Sequence, residues 1–452
     1  MATDQPQITL RVFVNKTKNC VAFVESDLDF VDVLLSFLTL PVGTVVRLLN
    51  KQSSLGCFDK LYQSVEQLDE KYLVTAACRS MLTNPVNSSG VQCQKLRINI
   101  DEMGELYKCP SANCRHRLTY SYYSGLKCQC GRYMNEAISN DLNRDDVNYE
   151  ELHGVFIQGD KFVVTDSLCI AFVEDLISTL NECGNGDRNQ MEERLVKIER
   201  EQVLHILKRS LISNTPLTDV LLHNGEDMTT PKVSVPSIEK TVERKAFDEE
   251  KKIYKLNMVL TRNKRHLGSR FRIGCLNNLY GSAERLRSSG YVVAGCEERL
   301  LNPKLAPYFN CKNQIIGVEE EKQDIYYACS VCYCKLSDTC SICNSCRRYS
   351  SRAELIDPKS QPRGIISSSG SYCQKLITYM VTDELVVTPL SLTDARSFRN
   401  EISDPIKMAE LSVAEEEVLD FLAVALASNT ALTDAFLART VGVFTSVDVK
   451  GE

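Results

Sequence analysis

At 452 residues, 43% of them apolar, the chain is long enough to bury two or three hydrophobic cores. A formal net charge of −6 and the absence of tryptophan argue against a surface devoted to gripping nucleic acid, leaving room only for a local basic site. No window reaches the roughly eighteen apolar residues of a membrane helix, and the opening MATDQPQITL lacks the basic and apolar regions of a signal peptide, so a cytosolic or nuclear protein is expected. There, twenty cysteines read as reduced thiols that hold metal, react or pack, not as a disulfide scaffold.

The chain opens with LRVFV and CVAFVE, two alternating apolar runs around the polar turn NKTKN, which predicts a β-hairpin. In SDLDFVDVLLSFLTLPVG, Ser26 and Asp29 have capping-box spacing, while Phe30, Val33, Leu34, Phe37 and Leu38 form a helical stripe. Pro41 and Gly43 stop it. LGCFDKLYQSVEQL predicts an amphipathic core helix with Phe58, Leu61, Tyr62, Val65 and Leu68 on one face.

Next come Cys109 and Cys114 in CPSANC and, after thirteen intervening residues, Cys128 and Cys130 in CQCG. Structural zinc takes four soft ligands in a tetrahedron, supplied by two short turns, so these four are the first predicted zinc site. Four reduced, packed thiols are the competing account. TYSYYSGLK between the pairs reads as a hairpin turning at Ser124 and Gly125, and Gly131 relieves crowding behind the second knuckle. Arg115, His116, Arg117, Tyr120, Tyr122, Tyr123, Lys127, Arg132 and Tyr133 give this ribbon a basic and aromatic mixture. Such a mixture suits stacking on single-stranded nucleic acid, although it more often forms an ordinary solvated face.

GDKFVVTDSL, Gly159 to Leu168, reads as the second arm of a hairpin. EQVLHILKRSLISNTPLTDVLL reads as a helix broken at Ser-Asn-Thr, with a short second helix after it. A Pro-, Thr- and charge-rich stretch over 224–250 has the composition of a flexible linker.

Beyond the linker the chain repeats its first half. Cys57, Cys78, Cys93, Cys114 and Cys128 recur 218 residues later as Cys275, Cys296, Cys311, Cys332 and Cys346, the mark of an internal duplication. The repeats are placed at 8–223 and 251–441, with ribbons at 107–134 and 326–349. IGCLNNLYGSAERL answers LGCFDKLYQSVEQL, TDELVVTPLS answers GDKFVVTDSL, and EEVLDFLAVALASNTALTDAFL answers the late helix pair. The second copy is shortened: 46 residues separate Leu10 from Gly56 but 18 separate Leu256 from Gly274, a deficit of 28. KLNMVLTRNKRH supplies one strand whose hairpin partner and following helix have no counterpart. This leaves an open strand edge, to be covered by the first copy or carried by a less stable second domain.

CSVCYCKLSDTCSICNSC carries the second cysteine ribbon. Cys332 and Cys346 keep the repeat offset, and Cys329 and Cys343 complete a CxxC…CxxC zinc set, with Cys334 and Cys340 as competing ligands. Cys57 and Cys275 open amphipathic helices, where a thiol pKa can fall, but a small buried residue explains both. Cys78, Cys93 and their partners are expected to pack. TRNKRHLGSRFR reads as a charged loop or a nuclear-import patch.

Enzyme signatures are missing: no Walker loop, GxGxxG, HExxH or GxSxG is present. The five histidines do not recur at the repeat offset; Asp219 and Asp434 do, and short-helix capping explains them.

DFVDVLLSFLTLPVG, GCFDKLYQSVEQL, LNPKLAP, YMVTDELVVTPLS and SNTALTDAFL together resemble a plant protein family known as domain of unknown function 674, in its tandem-copy arrangement. The resemblance implies a plant source and supplies no catalytic residue, cofactor or substrate. The expected fold is α+β, two tandem copies each with a small antiparallel sheet, amphipathic helices and an inserted zinc-ribbon-like hairpin. The expected function is that of a non-enzymatic, zinc-stabilised interaction or scaffold protein with a protein partner and no membrane. A single-stranded RNA binder using the basic ribbon is the first rival, and a thiol oxidoreductase the second.

Overall fold

The computed structural model describes residues 6–102, 104–111, 114, 118–138, 154–159, 161–172, 191–223, 254–260, 274–311, 314, 316, 318–321, 326–329, 336–337, 342, 347–360, 370–374, 377–390 and 407–436. The linker at 224–250 and the basic stretch at 261–272 lie outside them.

In β1 (Ile8–Asn15) inward side chains alternate with exposed ones, and Leu10, Val12 and Val14 are buried. The NKTKN turn leads to β2 (Cys20–Ser26), paired antiparallel to it. Helix α1 (Leu28–Ser36) comes next, with Phe30, Val31, Val33, Leu34 and Leu35 fully buried. Its N-cap is Asp27, and the Ser26 hydroxyl donates to the Asp27 carbonyl at 2.9 Å, so the Ser26–Asp29 capping box is not formed. Then come α2 (Val42–Leu48), α3 (Phe58–Gln67), α4 (Ala77–Thr83) and α5 (Gly90–Cys93). The ribbon region holds β3 (Leu106–Lys108), β4 (Thr119–Ser121), β5 (Leu126–Lys127), β6 (Tyr133–Met134) and β7 (Glu136–Ile138). The first half closes with β8 (Phe162–Thr165), β9 (Ile170–Phe172), β10 (Met191–Ile198), α6 (Arg200–Ile212) and α7 (Pro216–Leu221).

These strands make a five-stranded antiparallel sheet in the order β10-β1-β2-β8-β9. FVVT is therefore the first arm of a hairpin, not the second: β8 turns through Asp166–Cys169 into β9, with Leu168 in the left-handed region at φ 61°. The sheet, α1, α6 and α7 share one apolar core. Each large side chain removed from water there contributes about 1.5–3 kcal/mol. Within it the Asp32 carboxylate accepts hydrogen bonds from the amides of Val155, Phe156 (2.9 Å) and Ile157 (3.2 Å), tying α1 to the strip before β8.

The second half contains β11 (Tyr254–Leu260), α8 (Leu276–Ser288), α9 (Glu297–Leu301), β12 (Tyr326–Cys329), β13 (Leu336–Ser337), β14 (Ser350–Leu355), β15 (Tyr379–Val381), β16 (Val387–Pro389), β17 (Lys407–Val413) and α10 (Glu415–Ala427). β11 pairs antiparallel with β17 as β1 pairs with β10, and β15 with β16 as β8 with β9. In the first half β2 sits between β1 and β8. Among the described residues no counterpart of β2 joins the β11–β17 and β15–β16 ribbons.

Side-chain bonds set the register between the copies. Asp166 accepts from the Thr218 amide at 2.8 Å and hydroxyl at 2.5 Å; Asp383 accepts from the Thr433 amide at 2.8 Å and hydroxyl at 2.7 Å. Leu385, like Leu168, has a left-handed φ, of 60°. TDEL at 382–385 thus answers TDSL at 165–168, six residues from the register that aligned it with GDKF.

The helices that follow Cys57 and Cys275 are exchanged between halves. α8 enters the first-half core, where Cys275, Leu279, Ala283 and Leu286 are at most 2% exposed. The Cys275 amide donates to Ser210 O on α6 at 2.7 Å. In return α3 docks on the second half, where the Cys57 amide donates to Ala425 O on α10 at 2.9 Å. Ser210 and Ala425 occupy the same place in EQVLHILKRS and EEVLDFLAVA. Bridges between the halves obey the same exchange: Ile157 pairs with Val292 and Leu73 with Cys373.

The two cysteine regions also merge. β14 pairs parallel with β4 through Glu354–Thr119 and Leu355–Tyr120, giving a sheet ordered β13-β12-β14-β4-β3-β7. Leu106, Tyr120, Ile138, Ala328, Ala353 and Leu355 form the small core beneath it.

Candidate metal centre

Four backbone devices aim the first cysteine set. β3 delivers Cys109 directly after Lys108, and the Cys114 amide donates to Ser111 O at 3.1 Å, holding Cys114 beside the first knuckle. β5 and β6 pair through Leu126–Met134 and Lys127–Tyr133, closing CQCG into a knuckle. There the Cys128 amide donates to Arg132 O and the Gly131 amide to Cys128 O, both at 2.8 Å. Gly131 holds φ 89°, which a side chain disfavours.

TYSYYSGLK does not form the expected hairpin. β4 joins β3 and β14, while β5 joins β6. The cause is local: the Ser121 hydroxyl accepts from the Tyr123 amide at 2.9 Å, and this turn breaks the strand alternation and drives Tyr123 inward.

The result brings the sulfurs of Cys109, Cys114, Cys128 and Cys130 within 4.8 Å of one another. Cys109 Sγ lies 3.5 Å from Cys130 Sγ, and Cys114 Sγ 3.5 Å from Cys128 Sγ. A disulfide needs about 2.05 Å, and all four cysteines are free. A tetrahedral zinc with arms of about 2.3 Å has sulfur–sulfur edges of about 3.8 Å, close to this spacing. Ala77, Met81, Tyr123, Leu126 and Met134 pack around the inner three sulfurs, while Cys130 is exposed.

Burial pushes the Cys109 thiol up and the Cys128 thiol up to about 12, whereas the Arg132 amide chiefly draws the exposed Cys130 thiol down to about 7. Buried sulfurs of this kind resist ionisation unless a cation compensates, which a divalent metal does by coordinating thiolate. The donor set fits a soft, tetrahedral ion. With four protein ligands no coordination position is left for substrate, which is the arrangement of a structural site.

Among the described residues this is the one grouping of three or more such ligands. Of the second predicted set, Cys329 is buried in β12; Cys332, Cys343 and Cys346, with the competitors Cys334 and Cys340, lie outside the described residues. Cys57 and Cys275 are packed helix-start thiols donating to carbonyls, and burial raises both, Cys275 to about 12. Cys93 is likewise buried beside Thr39 and pushed up to about 12. Cys78 and Cys296 are buried too, and Cys311 is half-buried.

In the basic and aromatic ribbon, Tyr120 and Tyr123 belong to apolar cores and Tyr133 is exposed. Arg115, His116 and Arg117 lie outside the described residues, as do His153 and His266. Asp32, Asp166 and Asp383 carry no signal in the sequence, because an aspartate inside an apolar stripe or a turn bears no mark of the amides it will meet.

Fold and site together define a mixed α+β protein with antiparallel sheets and a four-cysteine cluster able to hold a metal ion. The model of the family described as "Protein of unknown function (DUF674)" matches residues 4–267 and again 256–407, and the chain belongs to that family. No curated protein and no solved structure matches. Among the described residues no single helix is long and apolar enough to cross a membrane.

Proposed function

We propose that this is a non-enzymatic interaction or scaffold protein whose cysteine ribbons are stabilised by structural zinc. One observation carries the reading: four free cysteines converge with their sulfurs within 4.8 Å and leave no ligand position open. The metal would contribute folding energy to strands of two or three residues, which bury too little by themselves. Cys329, Cys332, Cys343 and Cys346 are proposed to hold a second ion. The domain boundaries at 8–223 and 251–441, a plant source, a cytosolic or nuclear location and a protein partner belong to the same reading.

Metal analysis of the purified full-length chain tests it. At least one zinc per chain, with cluster thiols that titrate only after chelation, is expected. Less than one zinc per chain, with all cluster thiols freely reactive, would overturn it. The RNA-binding alternative loses two of its stacking residues to burial, since Tyr120 and Tyr123 face apolar cores.

A further inference from the structure

The two late helices have matching sequences and unequal surroundings. On α6, Val203, Ile206 and Leu207 are at most 1% exposed, in the same core as β1, β2 and α1. Their counterparts on α10 are Val418 and Phe421, both half-buried, and Leu422, 38% exposed. Leu419, where α6 has the half-buried Leu204, is 46% exposed. The exchanged helix does not cause the difference, because α3 sits on α10 as α8 sits on α6. What the first half has in addition is β2 and α1, which share the core of α6.

Two strand edges agree with this. β1 uses one edge for β10 and the other for β2, and β8 uses its two edges for β2 and β9. In the second half β11 pairs with β17 and β15 with β16, and among the described residues no strand pairs with the other edge of either. Edges of this kind accept an added strand through main-chain hydrogen bonds.

We propose that the second half is an acceptor for a strand-then-helix segment of another protein, which would occupy the place that Cys20–Phe37 occupies in the first half. This names the contact surface for the interaction function proposed above and rests on it. The chemistry of the occupant is set by the covered copy: an apolar strand, a break of one or two residues, then a helix with a stripe like Phe30, Val33, Leu34 and Phe37. A second copy of this chain cannot lend its own segment cheaply. Val21, Val24, Phe30, Val31 and Val33 are all 0% exposed within its core.

The probe is a synthetic, fluorophore-labelled peptide spanning Asn19–Leu40, added to the full-length, metal-loaded chain. Saturable one-to-one binding is expected, weakened by roughly tenfold or more by Leu422→Glu, as an unpaired charge in an interface core would do. Leu195→Glu, at a 70% exposed position on β10, should leave binding unchanged. Hydrogen exchange in α10 should slow when the peptide binds. No saturable binding, or binding indifferent to Leu422→Glu, overturns the proposal. Concentration-dependent dimerisation of the chain abolished by Leu422→Glu overturns it in favour of a second copy. Zinc content measured on the same samples separates the two proposals: full zinc without peptide binding defeats only this one, and peptide binding without zinc defeats only the metal.

Discussion

The thiol of Cys57 donates to the carbonyl of Ser428, 371 positions further along, at 2.9 Å. Cys275 makes the mirror contact with Ser213 at 3.1 Å, so each half holds the other's helix by the same bond. Two such halves on separate chains would be a domain-swapped dimer.

Neither half should then fold well alone. A fragment ending at residue 223 lacks Leu279, Ala283, Leu286 and Leu300, all buried in its core. It is expected to aggregate or melt without cooperativity, and co-expression with residues 251–452 should yield a one-to-one complex. Thermal unfolding and size-exclusion chromatography check this; a cooperative, monomeric first half would contradict it.

Two glycines guard the exchanged contacts. A methyl group on Gly56 would run into Ala425 O and one on Gly274 into Ser210 O, and both residues have positive φ, 48° and 36°. Either change to alanine should cost about 2 kcal/mol or more by denaturant unfolding. Gly290→Ala supplies the comparison: its φ is also positive, 77°, but the space around it is open, so a cost of about 1 kcal/mol is expected.

Removing ligands one at a time should grade the cluster by depth. Cys128 is fully buried and Cys130 exposed, so Cys128→Ser should abolish tight metal binding while Cys130→Ser leaves a weaker three-thiolate site that water completes. Metal removal should lower Tm, because the binding free energy of a structural ion is folding free energy. Zinc stoichiometry and calorimetry of both variants decide the ordering.

Acidity should act on the buried carboxyls in an unusual direction. Burial raises Asp32 to about 7 and Asp166 to about 6. The unfolded value is about 3.9. Between these limits the folded chain binds protons that the unfolded chain does not, so these groups make it more stable as pH falls from 8 towards 6 and less stable above 7. The slope is at most about 1.4 kcal/mol per pH unit for each group. Asp32→Asn should remove its share; urea unfolding across pH 6–8 in constant zinc would refute this if the variant kept the wild-type slope.

Local elements were legible in the sequence because their signals are local. Alternation gives β1 and β2, the stripe from Phe30 to Phe37 gives α1, and cysteine spacing gives the four cysteines that converge in the first half. Which helix packs on which half was not legible. IGCLNNLYGSAERL and LGCFDKLYQSVEQL present the same apolar face, so periodicity cannot separate a helix packed on its own copy from one exchanged with the other. The TDSL and TDEL register was hidden for a similar reason: aligning VVT with VVT is locally the better match, and only the aspartate–threonine bonds distinguish the two registers. The broken sheet of the second half could be anticipated from the deficit of 28 residues. The pairing of β11 with β17 could not, because it joins Tyr254 to Val413, far apart along the chain.

The exchange of α3 and α8 also sets the order in which the molecule can be made. The first half emerges from the ribosome complete in its own strands, yet its core remains open until α8 and α9, ending at Leu301, have been synthesised. Nascent chains of this protein must therefore hold an apolar cleft exposed for the time needed to translate the linker and the next helices, a matter of seconds at about 5–20 residues per second. The length of chain between residue 223 and Leu301 therefore sets how long that cleft stays open.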